Sequence, residues 1–192
     1  MTDAPPASHH EGETVSGLAL VVRGFFAPLG LVAASVGPEP DNVEYGAALV
    51  QTTSQGAGRP GPLVRVRQGK ITPNKVGLFV THWRRTDDGT TGPYDDQDTA
   101  DALLVTVTEP ADQTTGAHPA QGVFVLDRET LLARGILTRA GAAGKRGFRV
   151  YPPWSRTAPG QATRTQRWQL ERFVELPLSP SATSRAWRLL IP

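Results

Sequence analysis

The chain reads as an α+β domain, a central mixed β-sheet flanked by helices. Three observations lead there. Leu18, Val21, Val22, Phe25, Phe26, Leu29 and Val32 recur at the spacing of one helix face. A second helical stretch runs from Pro159 to Val174, with Ala162, Gln166, Gln169 and Phe173 on one stripe. Between them lie short β-forming runs separated by Gly, Pro, Asn and Asp clusters. Helix, strands and helix in that order fit a sandwich about one sheet. A length of 192 residues suits one domain with a sizeable core.

Residues 1–15, rich in Pro, Ser, His and Glu, read as a disordered lead. Residues 16–176 are the domain and 177–192 a C-terminal extension, which Trp187, Leu189, Leu190 and Ile191 can dock back on the body. The first helix is expected over Val15–Ser35, kinked or ended by Pro28. Strands are expected over Glu44–Thr52, Leu63–Ile71, Gly77–Arg84, Ala102–Thr108, Gly122–Leu126 and Phe148–Tyr151. Period two puts Arg65 and Arg67 on one face and Val64 and Val66 on the other. Thr72-Pro73-Asn74-Lys75 is a tight connection, Thr86–Thr99 an acidic loop, and Asp127 caps a short helix ending near Gly135.

Cysteine is absent, which removes disulfides, zinc–thiolate sites and thiol catalysis and fits a reducing compartment. The most apolar window, Leu18–Ala34, is broken by Arg23 and Pro28 and is too short to span a bilayer. The residues before it carry Asp3, Glu11 and Glu13 but no Lys or Arg, the wrong start for a secretory signal. The chain therefore reads as cytoplasmic, with no membrane partner.

The net charge is only +2, yet the signs hardly mix. From Arg59 to Arg85 every charge is positive, and from Asp87 to Asp112 every charge is negative. From Arg139 to Arg172 the charges are positive again, with Glu171 the one exception. The basic blocks carry Trp83, Tyr151, Trp154 and Trp168, a pattern for a polyanion whose bases stack on rings. Each block can equally be a solvated face, with the tryptophans in the core.

Phosphate binding is the chemistry these residues serve best. Lys70 and Lys75 bracket a turn at Thr72, Trp83-Arg84 ends the next strand, and Gly144-Lys145-Arg146-Gly147 lets backbone approach a ligand. Arg149 and Tyr151 share a strand face, while Arg164 and Arg167 extend the charge along the second helix. Trp154 and Trp168 stack on bases or pack in the core, and Gln166 bonds a base edge or orders a loop. Hydrolysis needs carboxylates for magnesium and a lysine; Glu44, Asp101 and Lys70 are the available set. Asp96-Gln97-Asp98 lacks the glycine and glutamate of a calcium loop, and no metal site is assigned. A serine elbow, a Walker loop and a dinucleotide fingerprint are all missing.

Five stretches, GKITPNKVGLFVTHWRR (69–85), GPYDDQD (92–98), GVFVLDRETLLARGIL (122–137), GKRGFRVYPPWS (144–155) and TQRWQLERF (165–173), resemble the MepB-like family of small bacterial proteins. The resemblance implies a restriction-endonuclease-like core of the PD-(D/E)xK type and a nucleic-acid-binding role. Here Gln68-Gly69-Lys70 lacks the acid expected two residues before the lysine. The leading expectation is therefore a binder of single-stranded DNA or RNA without a cofactor. It would use Lys70, Thr72, Lys75, Trp83, Arg84, Lys145, Arg146, Arg149, Tyr151, Trp154, Arg164, Gln166, Arg167 and Trp168. The alternatives are a magnesium-dependent nuclease and a protein-interaction module using the acidic loop or the tail at Trp187.

Overall fold

A computed structural model describes residues 16–86, 88–110, 118–139 and 142–191. The expected disordered lead lies outside them. Ser16 caps α1 (Gly17–Val21), its Oγ accepting from the Ala19 N–H at 3.2 Å. The helix continues as a π turn, Val22–Phe26, and a 3-10 turn, Ala27–Leu29. It ends at Gly30, whose φ of 67° is the left-handed conformation glycine tolerates. The expectation of helix to Ser35 is corrected there: Leu31–Pro38 is strand β1.

Pro40–Tyr45 is a 3-10 turn, so the next strand, β2 (Ala48–Ser54), starts later than expected. β3 (Pro60–Gln68) follows, and the chain then leaves for a second sheet through β4 (Lys70–Thr72) and β5 (Lys75–Thr81). Asn74, at φ 60°, turns that hairpin. β6 (Trp83–Arg85) pairs with β7 (Thr91–Pro93), so the expected acidic loop is partly a hairpin. β8 (Ala102–Thr108) and β9 (Gln121–Asp127) lead into α2 (Arg128–Ala133). Asp127 caps α2 as expected, accepting from the Thr130 N–H at 2.6 Å.

β10 (Gly147–Val150) precedes α3 (Gln161–Leu170), which stops short of Val174; Phe173–Leu176 is β11 instead. The extension is α4 (Pro180–Leu190), capped by Ser179 with Pro180 in its first turn. Its Ala186 and Leu190 are buried in the core, so it completes the domain rather than trailing from it.

The main sheet has the order β1-β2-β3-β8-β9-β11, antiparallel except for the parallel pair β3/β8. It is covered on both faces, which is why β8 and β9 read as unbroken apolar runs. Val50, Val64, Val66, Leu104, Val123 and Val125 face α1, the π turn and α4. Leu103, Val105, Phe124 and Leu126 face Leu131 of α2 and Leu78, Val80 and Val150 of the small sheet β10-β5-β4. Trp154 and Trp168 lie half-buried at the margin of this second cluster.

The β9–β11 pairing depends on Gly122. A Cβ there would fall within the Phe173 ring and 2.8 Å from the backbone oxygen of Val174. Gly122→Ala is expected to push β11 off the sheet and lower stability by roughly 1–3 kcal/mol, read by urea unfolding.

Candidate functional site

The charge blocks of the sequence largely meet one another. Arg65 donates to Glu39 at 2.8 Å and to both carboxylate oxygens of Asp98. Arg67, which has no exposed surface, pairs with the other oxygen of Glu39. Arg84 pairs with Asp95 at 2.6 Å and Arg85 with Asp41 at 3.2 Å. The acidic stretch thus folds back on Arg65 and Arg84, while Glu39 and Asp41, from the segment before β2, engage Arg65, Arg67 and Arg85. Arg128 ties this stretch to α2 by donating to the carbonyls of Asp96 and Asp98. The second basic block is different: among the described residues its one ion pair is Arg172 with Asp127.

Beside the buried arginines sit Tyr94 and His82. The Arg65 guanidinium lies 3.8 Å from the Tyr94 ring centroid, and the His82 ring 4.8 Å from it. Burial raises the Glu39 carboxyl, but Arg67 and Arg65 overcome this and hold it below the usual range. Burial also dominates at His82, driving its pKa well below the ordinary value, and the two arginines push the same way. The Tyr94 hydroxyl is raised chiefly by burial.

Cations with no carboxylate partner among the described residues lie on the outer face of the small sheet. Lys70 of β4 and Arg149 of β10 are both register partners of Phe79 on β5. Residues paired this way project from one face, so a cation–ring–cation row crosses three strands. The Lys70 ammonium sits 4.2 Å from the centroid of the Tyr45 ring. Arg149 is braced by donating to the Gly77 carbonyl at 2.9 Å and to the Thr72 hydroxyl. The Tyr151 ring lies over Gly77 and the Phe79 ring over Gly147, where a Cβ would come within 2.6 Å of either ring. Two glycines therefore let rings lie flat on neighbouring strands.

Around edge strand β10 this face continues into a cleft of about 490 Å³ against α3. Lys145, Arg149, Tyr151 and Trp168 line it together. Fully buried Gln169 joins its walls, accepting from the Tyr151 N–H and donating to the Arg149 carbonyl, both at 2.9 Å. The Arg134 guanidinium lies 4.6 Å from the Trp168 ring centroid.

The expected site residues are thus split. Lys70, Thr72, Lys145, Arg149, Tyr151 and Trp168 come together on this face and its cleft. Arg164 and Arg167 are exposed on α3, and Arg146 is exposed just before β10. Lys75 and Trp154 line a different cleft, of about 370 Å³, with Ile71 and Val76. The Trp154 ring packs edge-on to Phe173 at 5.9 Å, which is a core role. Gln166 orders a loop: its amide donates to the Pro152 and Ser155 carbonyls at 3.1 and 2.9 Å. Arg84 is engaged by Asp95, and half-buried Trp83 stands beside it on β6, where its carbonyl accepts from Asn42 at 3.0 Å. Phe79 and Tyr45 were not anticipated; cross-strand register and the turn before β2 bring them in.

The nuclease set does not assemble. Asp101 lies level with Leu63, its carboxylate accepting from that N–H at 2.8 Å, at the start of β8. Lys70 follows the far end of β3, on the order of 20 Å away at the rise of a strand. The Glu44 side chain lies outside the described ones. Among the described residues no group of three His, Asp or Glu is placed to hold a metal, and no helix is long and apolar enough to cross a membrane. Asp101 and Lys70 are too far apart to share a magnesium site.

Comparison with known proteins gives three findings. A family model described as MepB-like matches residues 39–175. The crystal structure of MepB is similar, at 32% identity and a TM-score of 0.61, over 73% of this chain and 85% of that one. No curated protein matches the chain.

Proposed function

The chain belongs to the MepB-like family, and on that premise we propose that it binds single-stranded nucleic acid on the outer face of the small sheet. The row Lys70–Phe79–Arg149 is the observation that carries this reading. It sets a half-exposed ring between two cations, with Tyr151 and Tyr45 beside them. Rings accept the face of any unpaired base, and the cations follow the backbone between bases. Among the described residues Arg172 is the one member of the second basic block with a carboxylate partner, which supports leaving the rest of its charge to phosphates. Lys70 and Arg149 are the phosphate contacts, Phe79 and Tyr151 the stacking rings. Arg146, Arg164 and Arg167 supply the surrounding field. Binding without cleavage is the activity we favour, because Asp101 stands at the other end of β3 from Lys70.

Fluorescence anisotropy with a labelled single-stranded oligonucleotide tests it. With Lys70 and Arg149 as the two phosphate contacts, affinity should drop about sevenfold between roughly 50 and 200 mM salt. Phe79→Leu should cost about tenfold through lost stacking. Lys70→Ala should weaken binding and flatten the salt dependence by about one contact. An absence of binding at low salt, or wild-type affinity in both variants, sinks the proposal.

A further inference from the structure

The cleft at the edge of β10 differs from the open sheet beside it. Its lining comes from β10, from Ile136 and Lys145 ahead of that strand, and from α3. Its volume of about 490 Å³ is that of a pocket for one small molecule. One mononucleotide fills most of such a space. The walls are fixed, because Gln169 bonds the backbone of both Arg149 and Tyr151. Trp168 presents a ring there, and Arg164 neighbours it one helical turn away. Lys145 stands opposite on the loop, its ammonium donating to the Arg134 carbonyl at 3.1 Å with donors to spare.

Resting on the binding proposal above, we infer that this cleft receives the terminal nucleotide of the strand, with its base on Trp168 and its terminal phosphate toward Lys145 and Arg164. The protein then holds strand ends in preference to uninterrupted strand. A terminal phosphate monoester carries nearly twice the charge of an internal diester and an additional free oxygen. Lys145 on the cleft wall, with Arg164 flanking Trp168 on the helix, favours the more highly charged end. The open sheet, where Lys70 and Arg149 lie in a line, does not.

The test compares one short sequence in four forms with the full-length protein: circularised, linear with hydroxyl ends, linear with a 5′ phosphate, and linear with a 3′ phosphate. Anisotropy at fixed low salt should rank one phosphorylated form first, by about tenfold over the hydroxyl form. The circle should bind most weakly. Lys145→Ala and Arg164→Ala, both at exposed positions, should bring the phosphorylated and hydroxyl forms to equal affinity, whatever common loss the missing charge imposes on all four forms. If circle and linear forms bind alike within about twofold, the end site is overturned and the sheet surface stands. If none of the four binds, the strand-binding proposal fails and this one with it. A preference that survives in both variants overturns the assignment to this cleft.

Discussion

Arg67→Ala is expected to lose about 3–5 kcal/mol of unfolding free energy, the largest effect of any single substitution considered. Arg67 is fully buried on β3, and its guanidinium pairs with Glu39 ahead of the 3-10 turn. Truncation leaves a carboxylate facing only Arg65 and the Tyr94 hydroxyl, with a cavity where the arginine lay. The pair as a whole is worth far less than either half is to the other, because burying both charges already cost solvation. Arg67→Met combined with Glu39→Gln should therefore recover much of the loss. Urea unfolding with a coupling cycle reads both numbers. A double variant as unstable as Arg67→Ala would show that the arginine acts through packing alone.

Stability should fall as the solution is acidified through the ordinary histidine range, and His82 should be the cause. Its ring has no exposed surface, and neither nitrogen finds a partner among the described residues. The charged groups facing it are Arg65 and Arg67, with Tyr94 stacked on it and Phe148 edge-on. The folded protein therefore keeps it neutral, its pKa lowered first by burial. The unfolded chain protonates it near the ordinary histidine value of about 6.5. Below that pH the unfolded state binds the extra proton, so stability drops by up to about 1.4 kcal/mol per pH unit; above it the curve is flat. His82→Leu should abolish this slope and add roughly 1–3 kcal/mol by removing two unpartnered nitrogens. Unfolding at about pH 5.5 and about pH 7.5 separates the effect from carboxylate titration at lower pH. Equal slopes in wild type and variant would rule His82 out.

Much of the site was readable because it rests on local chemistry. Lys70, Thr72 and Lys75 frame a turn that Pro73 and Asn74 announce. Arg149 and Tyr151 alternate onto one face as period two requires. Three things were not readable. Phe79 resembled any apolar strand residue until register set it between Lys70 and Arg149. Arg84 looked like a phosphate ligand until the β6–β7 hairpin carried Asp95 to it. Trp154 and Trp168 are alike in type, yet one packs on Phe173 and the other lines the cleft.

By itself the sequence determined the α+β class, the strands β3, β5, β8 and β9, the Asp127 cap and the facing of Arg65 and Arg67. Periodicity, capping and turn chemistry act within a few residues, so they survive without tertiary context. Only the folded chain decided that the segments at Leu31 and Phe173 become edge strands rather than helix ends, and that the last helix joins the core. Those outcomes turn on burial against distant partners, which overrides local preference. Only the fold decided which charges remain. Coulomb pairing depends on separation in space, so charges distant along the chain cancel where folding brings them together, as at Arg65 with Asp98 and Arg84 with Asp95, and persist where no described carboxylate approaches.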